Sequence, residues 1–296
     1  ELTFGGKFDQ PIAGVAWPPC LERLSFGHTF NQPVAEVAWP PSLQRVSLGD
    51  GFNQPVSGVV WPATLQQLEF GDFFDHPIDG VEWPEPVGRL SLGYSFNQPI
   101  DACSWPASLL DLSFGHGFDH PVTGVVWPAS LRNLSFGYSF NQPIEAADWP
   151  ASLRRLSFGH SFNQPVSGIV WPAALQKLSF GYSFSQPIAG TSWPASLSHL
   201  AFRRSFDQPV AATGWPESLR SLSLGHWFNQ PISGIVLPAS LRHLSLGAHF
   251  NHPIDEVRWP SSLEKLQLGV RFDQPVDGIA WPASIRSVKR GRKTIL

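Results

Sequence analysis

The 296-residue chain contains no Met, two Cys and three Tyr, and no run of apolar residues long enough to span a bilayer. It also lacks a charged-then-apolar N-terminal segment of the secretory kind. The absence of Met fits a mature form or an excised piece. Cys20 and Cys103 are too few for a disulfide framework and carry no metal-ligand spacing. Two unpaired thiols and no leader-like segment lean toward an intracellular setting, with the compartment otherwise undetermined. Long helices are excluded for the opposite reason: 29 prolines are spread evenly, and each removes a donor and clashes with the preceding turn. With 42% hydrophobic and 13% aromatic residues, the chain is too apolar for disorder.

What is present is repetition. Trp-Pro recurs every 22 residues from Trp17 to Trp281, with Leu237-Pro238 filling the single gap. Phe8, Phe30, Phe52 and every 22nd residue up to Phe272 form a second column, followed three residues later by another Pro. Counting positions from Leu153, one unit reads L-R-R-L-S-F-G-H-S-F-N-Q-P-V-S-G-I-V-W-P-A-A. Seven positions stay apolar, here Leu153, Leu156, Phe158, Phe162, Val166, Ile169 and Trp171. Leu156 and Phe158 lie two apart, the period of a strand. A unit this short cannot bury its own apolar face, but stacked units can.

The expected fold is therefore mostly β: a leucine-rich-repeat-like solenoid of about thirteen 22-residue coils. A parallel sheet on one face would be joined by extended and turn segments on the other, with little or no helix and at most single turns near P-A-S-L. Residues 1–284 are read as the array and 285–296 as its basic C-terminal cap. Gly at position 7 is expected to let the chain turn. Arg203, the exception, requires a conformation open to an ordinary residue.

The strings F-N-Q-P-I/V, L-x-x-L-S-F-G and W-P-x-S-L resemble the FNIP repeat, a relative of the leucine-rich repeat found mainly in slime moulds, other protists and large viruses. The resemblance covers the whole chain. Its departure is Trp where that family usually carries Leu before the second Pro. It implies a leucine-rich-repeat-type fold, a role in protein interaction, and no catalytic residues or cofactors.

The Trp column reads as core rather than as a sugar-stacking ladder, since Leu237 replaces one member. The Asn/Asp column and the adjacent Gln column, with His76, His120 and His252 substituted, read as hydrogen-bond ladders rather than metal ligands. No nucleophile–base or paired-carboxylate set breaks the repeat, so no enzyme is expected. Eleven of the twenty Lys and Arg residues fall at positions 2 and 3, opposed there by Glu22, Asp111 and Glu264. Acidic residues such as Asp79, Asp101 and Glu145 fall between the two prolines, which predicts a basic strand face and an acidic opposite side.

The candidate contact residues are Arg132, Arg154, Arg155, Lys177, Arg220 and Arg242, flanked by Tyr138, His160 and Tyr182. The expected partner is an acidic protein surface or a larger assembly. Nucleic acid is disfavoured because few aromatics accompany the arginines, and a solvated face with no partner is the plainer alternative. A rival reading is a structural spacer or assembly subunit stacking end to end through an open N-terminal edge. That edge opens inside a repeat, which would fit missing upstream residues or a covering partner.

Overall fold

A computed structural model describes residues 1–296, which fall into two compact units: 1–142 with 146–153, and 143–145 with 154–296. Both are parallel β-solenoids, and the chain makes about thirteen turns with no helix. Unit 1 contains β1 (Leu2–Thr3), β2 (Arg23–Ser25), β3 (Arg45–Ser47), β4 (Gln67–Glu69), β5 (Arg89–Ser91), β6 (Asp111–Ser113) and β7 (Asn133–Ser135). Unit 2 contains β8 (Arg155–Ser157), β9 (Lys177–Ser179), β10 (His199–Phe202), β11 (Ser221–Leu224), β12 (His243–Ser245), β13 (Lys265–Leu268), β14 (Ser287–Arg290) and β15 (Lys293–Thr294).

Within each unit, successive strands pair in parallel with a 22-residue offset, as in Leu90↔Leu112 and Leu178↔Leu200. The register places like residues on like residues, so each core column is continuous. Leu153, Leu156, Phe158, Phe162, Val166, Ile169 and Trp171, the seven apolar positions of one coil, are all buried. The position-10 phenylalanines from Phe30 to Phe272 are fully enclosed, Phe8 in the first coil is half-buried, and the rings stack along the axis, as Phe74 does on Phe96 at 6.0 Å. β15 breaks the parallel pattern by pairing antiparallel with β14.

Hydrogen-bond ladders fasten the coils together. The Oδ1 of a position-11 Asn or Asp accepts the backbone N–H of the position-11 residue one coil on, and Ser185, which carries no such oxygen, interrupts the ladder before Asp207. Asp75 takes Asn97 N–H at 2.8 Å, and Asn97 takes Asp119 N–H at 3.0 Å. The position-12 glutamine adds a second donor, as Gln98 Nε2 does to Asp75 Oδ1 at 2.9 Å. Where His replaces Gln, the ring Nε2–H of His76, His120 and His252 donates to the preceding coil's carbonyl instead. The expected side-chain ladders are therefore present, and the imidazoles are structural donors. A further ladder uses the serine of W-P-x-S-L: Ser130 Oγ donates to Leu109 O at 2.7 Å, and Ser218 Oγ to Leu197 O at 2.7 Å.

The chain has no helix, within the expected limit of at most single turns: at P-A-S-L the position-1 N–H closes one tight turn on the proline carbonyl three residues back, as Leu131 does to Pro128 at 3.0 Å, and the chain then enters the strand. One expectation needs correction. Glycine at position 7 is needed mainly for close approach rather than for a left-handed turn. A Cβ on Gly71, Gly93, Gly115 or Gly137 would overlap the carbonyl of the glycine one coil earlier, yet none of these four has positive φ. Left-handed glycines belong chiefly to position 16, where Gly168 has φ +83° and the turn closes through a position-17 N–H to position-14 carbonyl bond. Arg203 has no positive φ, as its side chain requires.

Candidate functional site

The 22-residue frame fixes where each candidate side chain emerges. Position 3 opens the strand and is exposed, position 4 is buried, and position 5 is partly exposed. Position 2 precedes the strand: its carbonyl accepts two N–H groups from the next coil, as Arg154 O does from Gln176 at 2.9 Å and Lys177 at 3.0 Å. Position-2 side chains are consequently surface groups although they lie beside buried leucines.

In unit 1, Arg132 is exposed just ahead of β7, and Tyr138 follows that strand and stacks on His116 at 4.2 Å. In unit 2, Arg155 of β8 lies directly opposite Lys177 of β9, with Arg154 beside them. Arg220 and Arg242 are backbone partners, Arg242 N–H donating to Arg220 O at 2.9 Å. All five are exposed. Arg242 is partly neutralised by Glu264 at 3.1 Å, and Arg286 reaches the same carboxylate at 3.8 Å. Arg132, Arg154, Arg155, Lys177 and Arg220 have no carboxylate within ion-pair distance. Like charges in register on adjacent strands are destabilising by a few tenths of a kcal/mol per pair, so Arg155 opposite Lys177 is a small cost that the core carries.

His160 and Tyr182 stack at 5.0 Å on the turns after β8 and β9. Within one coil this edge is separated from positions 2 and 3 by the three-residue strand, about 10 Å long, and the start of the turn that follows it. The tyrosine–histidine edge and the arginine edge are thus two borders of the strand face rather than one cluster.

Between those borders lies the position-5 column, which the sequence reading left out of the candidate contact. Over β11 to β14 a shallow cavity of about 330 Å³ is lined by Ser223, His243, Ser245, Lys265, Gln267 and Lys289, among others. Hydroxyls and an amide alternate here with cations, and no carboxylate lines the cavity. The signal was available in the position-5 Ser column, which reads as filler until it is placed beside Lys265 and Lys289. His199 of β10 is held below the usual imidazole range, first by partial burial and then by Lys177, Arg220 and His243. The lesser causes of that shift, Lys177, Arg220 and His243, reflect the basic groups of this face.

The charge also divides by unit, which the column reading did not separate. Unit 1 holds five Lys and Arg against fifteen Asp and Glu; unit 2 holds fifteen against eight. The units therefore carry −10 and +7, which together give the chain's −3.

Seven members of the Trp column, among them Trp39, Trp61, Trp193 and Trp215, are buried and the others, such as Trp83 and Trp105, are half-buried, so no face of the column stands open as a sugar-stacking ladder. Its indole N–H groups have no hydrogen-bond partner, Trp171 and Trp193 among them, so the column contributes packing alone. Cys103 is a buried member of the position-17 core column; burial, then Asp79 and Asp101, push its thiol up to about 12. Cys20 is exposed and free. No helix is long and apolar enough to cross a membrane.

No curated protein matches the chain. Among solved structures, CroV588, described as a novel circular LRR protein, is 37% identical with a TM-score of 0.84. The match covers 97% of this chain and 45% of that one, so the present chain spans less than half the length of that relative. YopM from Yersinia enterocolitica WA-314 is 19% identical over 94% of this chain and 52% of that one, and its TM-score of 0.46 is too low to carry an argument. The FNIP Repeat profile matches residues 30–73, 74–117, 118–148, 142–183 and 206–249. These segments span more than half of the sequence, and the chain belongs to the FNIP repeat family, with a leucine-rich-repeat-like fold of the kind commonly used in protein–protein interaction.

Proposed function

We propose that this chain is a non-catalytic interaction scaffold whose basic strand face docks an acidic protein surface. In unit 2 the contact is carried by Arg154, Arg155, Lys177, Arg220 and Arg242, bordered by His160 and Tyr182; in unit 1 Arg132 and Tyr138 take the corresponding positions. The observation that carries the reading is the set of exposed cations of unit 2, Arg154 and Arg155, Lys177, Arg220 and Arg242, on four of five successive coils with Ser198 and His199 on the coil between, most of them without a carboxylate of their own. The serine hydroxyls beside Lys265 and Lys289 add donors suited to carboxylates, whereas the Gln267 amide is already spent on the Leu268 and Gly291 carbonyls. Most framework polar groups are occupied in coil-to-coil ladders, which leaves the variable columns to carry specificity.

The test is capture from source-cell lysate at low and moderate salt. Wild type is run beside a variant carrying Arg132→Glu, Arg154→Glu, Arg155→Glu, Arg220→Glu and Arg242→Glu. These residues are exposed, so the variant should fold; an unchanged melting temperature and circular dichroism spectrum check this. A partner held by wild type, released by salt and lost by the folded variant supports the reading. Equal capture by both proteins overturns it.

A further inference from the structure

Position 9 of the repeat sits on the turn after the strand and is small throughout most of unit 1: Thr29, Gly51, Ser95, Gly117 and Ser139. Phe73 breaks that column and is 57% exposed, so the core does not require it. It stands beside exposed Asp72, with Asp50 one coil earlier in the same turn and Glu69 at the end of β4. Asp50 is bonded to His28 at 2.7 Å, and Asp72 has no cationic partner. The result is an exposed aromatic ring set among carboxylates.

The corresponding turns of unit 2 hold the converse. An open groove of about 800 Å³ runs along them, floored by Gly225, Gly247 and Gly269 and walled by Arg203, Arg204, Val270 and Arg292. No carboxylate lines it, and none of these arginines has an ion-pair partner. Arg203 lies over the Tyr182 ring at 5.7 Å. Val270 is 66% exposed, and Trp227 at position 9 is 44% exposed against His249 at 3.9 Å. The glycine floor, which the close approach of successive coils demands, also leaves a furrow that no side chain of the chain fills.

We propose that this groove binds a second copy of the chain, with Phe73 seated against Val270 and the glycine floor and Asp72 paired with the arginines of the wall. The occupant follows from complementarity: an apolar anchor flanked by acids meets an apolar floor flanked by unpaired bases, and the units that bear them carry −10 and +7. The groove lies apart from the strand-entry arginines but shares Tyr182, Ser223, Ser245 and Gln267 with the docking face, so the two partners compete at that border and are told apart by substitutions outside it. A contact between two different surfaces of identical chains is heterologous, so it either closes on itself or grows into longer species.

Sedimentation velocity across a concentration series, at about 0.02 M and 0.5 M salt, tests this directly, because screening at the higher value shortens the electrostatic range to a few ångströms. Wild type should associate at low salt and dissociate at high salt. Phe73→Ser restores the residue usual in that column and should weaken association about ten- to a hundred-fold, the worth of one buried Phe ring. Asp72→Arg and Arg204→Asp should each abolish it alone, and an equimolar mixture of the two should regain it. Proposed-site variants that associate as wild type does, a mixture that stays monomeric, or a wild type monomeric up to about 0.1 mM would each overturn the proposal. None of these substitutions touches Arg132, Arg154, Arg155, Lys177, Arg220 or Arg242, so the strand-face reading stands or falls separately.

Discussion

Removing one rung of the Asx ladder separates hydrogen bonding from charge and from chain geometry. Asp119 Oδ1 accepts the Asn141 backbone N–H at 2.8 Å and Gln142 Nε2 at 3.0 Å. The Asp119 N–H donates to Asn97 Oδ1 at 3.0 Å and its carbonyl accepts from Gln142 at 3.0 Å, and neither bond needs the carboxylate. Asp119→Ala therefore deletes one acceptor atom and leaves the neighbouring rung intact. Two partly buried donors lose a partner, and at about 1 kcal/mol each the expected cost is about 2 kcal/mol. Asp119→Asn keeps an Oδ1 in place and copies Asn97 and Asn141, so it should cost less than about 0.5 kcal/mol. With a urea m-value of about 3 kcal/mol/M, the alanine variant should lower the midpoint by about 0.7 M. Repeat arrays can open locally, so hydrogen exchange at the Asn141 amide is the more direct reading. That amide should lose protection in the alanine variant and keep it in the asparagine variant. If asparagine destabilises as much as alanine, or if Asn141 stays protected in both, the ladder is not what holds this edge.

Three further outcomes follow from the packing and the titrations. Gly115→Ala should cost more than about 2 kcal/mol because its Cβ meets the Gly93 backbone. Gly124→Ala, with φ +81° but open space around it, should cost about 1 kcal/mol of left-handed strain; thermal melts of the pair decide, and equal costs would refute the close-approach argument. Trp171→Leu forfeits no hydrogen bond and has a natural counterpart in Leu237, so it should cost about 1–2 kcal/mol, against about 3–5 kcal/mol for Phe162→Ala. Below an ordinary imidazole pKa of about 6.5, the folded state takes up fewer protons at His199 than the unfolded chain does, so acidification destabilises unit 2. An acidic partner raises that pKa, and binding should tighten as the pH falls from 7 toward 5.5; His199→Gln should flatten both trends in melting and titration calorimetry.

The 22-residue period made the coil, the strand at positions 3–5, the buried columns and the Asx ladder legible, because each is a property of one unit repeated. Features that depend on how one unit lies against the next were harder to read. The position-7 glycine reads as a turn residue, yet its requirement comes from the carbonyl one coil back, a contact between residues 22 apart such as Gly115 and Gly93. The serine of W-P-x-S-L is visible as consensus, but its role appears only when Ser130 Oγ is seen to reach Leu109 O across the coil boundary. Arg132 through Arg242 were picked out by column and are exposed as expected, whereas the separation of Tyr182 from that border depends on the length of the strand between them.

A repeat constrains its framework positions and leaves the rest to vary, so departures from the columns hold the information about partners. Position 9 shows this: a Ser, Thr or Gly there satisfies the turn, and a Phe or Trp does nothing for the core, as the exposure of Phe73 and Trp227 shows. Position 8 shows the same drift in charge, from Asp50 and Asp72 in unit 1 to Arg204 and Arg292 in unit 2. Duplication alone copies each coil with its charges and would leave the two units alike. Fifteen acids against five bases in one unit, and the near reverse in the other, give the two units fields of opposite sign, as the two different electrostatic tasks proposed above would need. A measurement that treats the chain as one uniform surface will average these tasks away, whereas charge reversals confined to one unit resolve them.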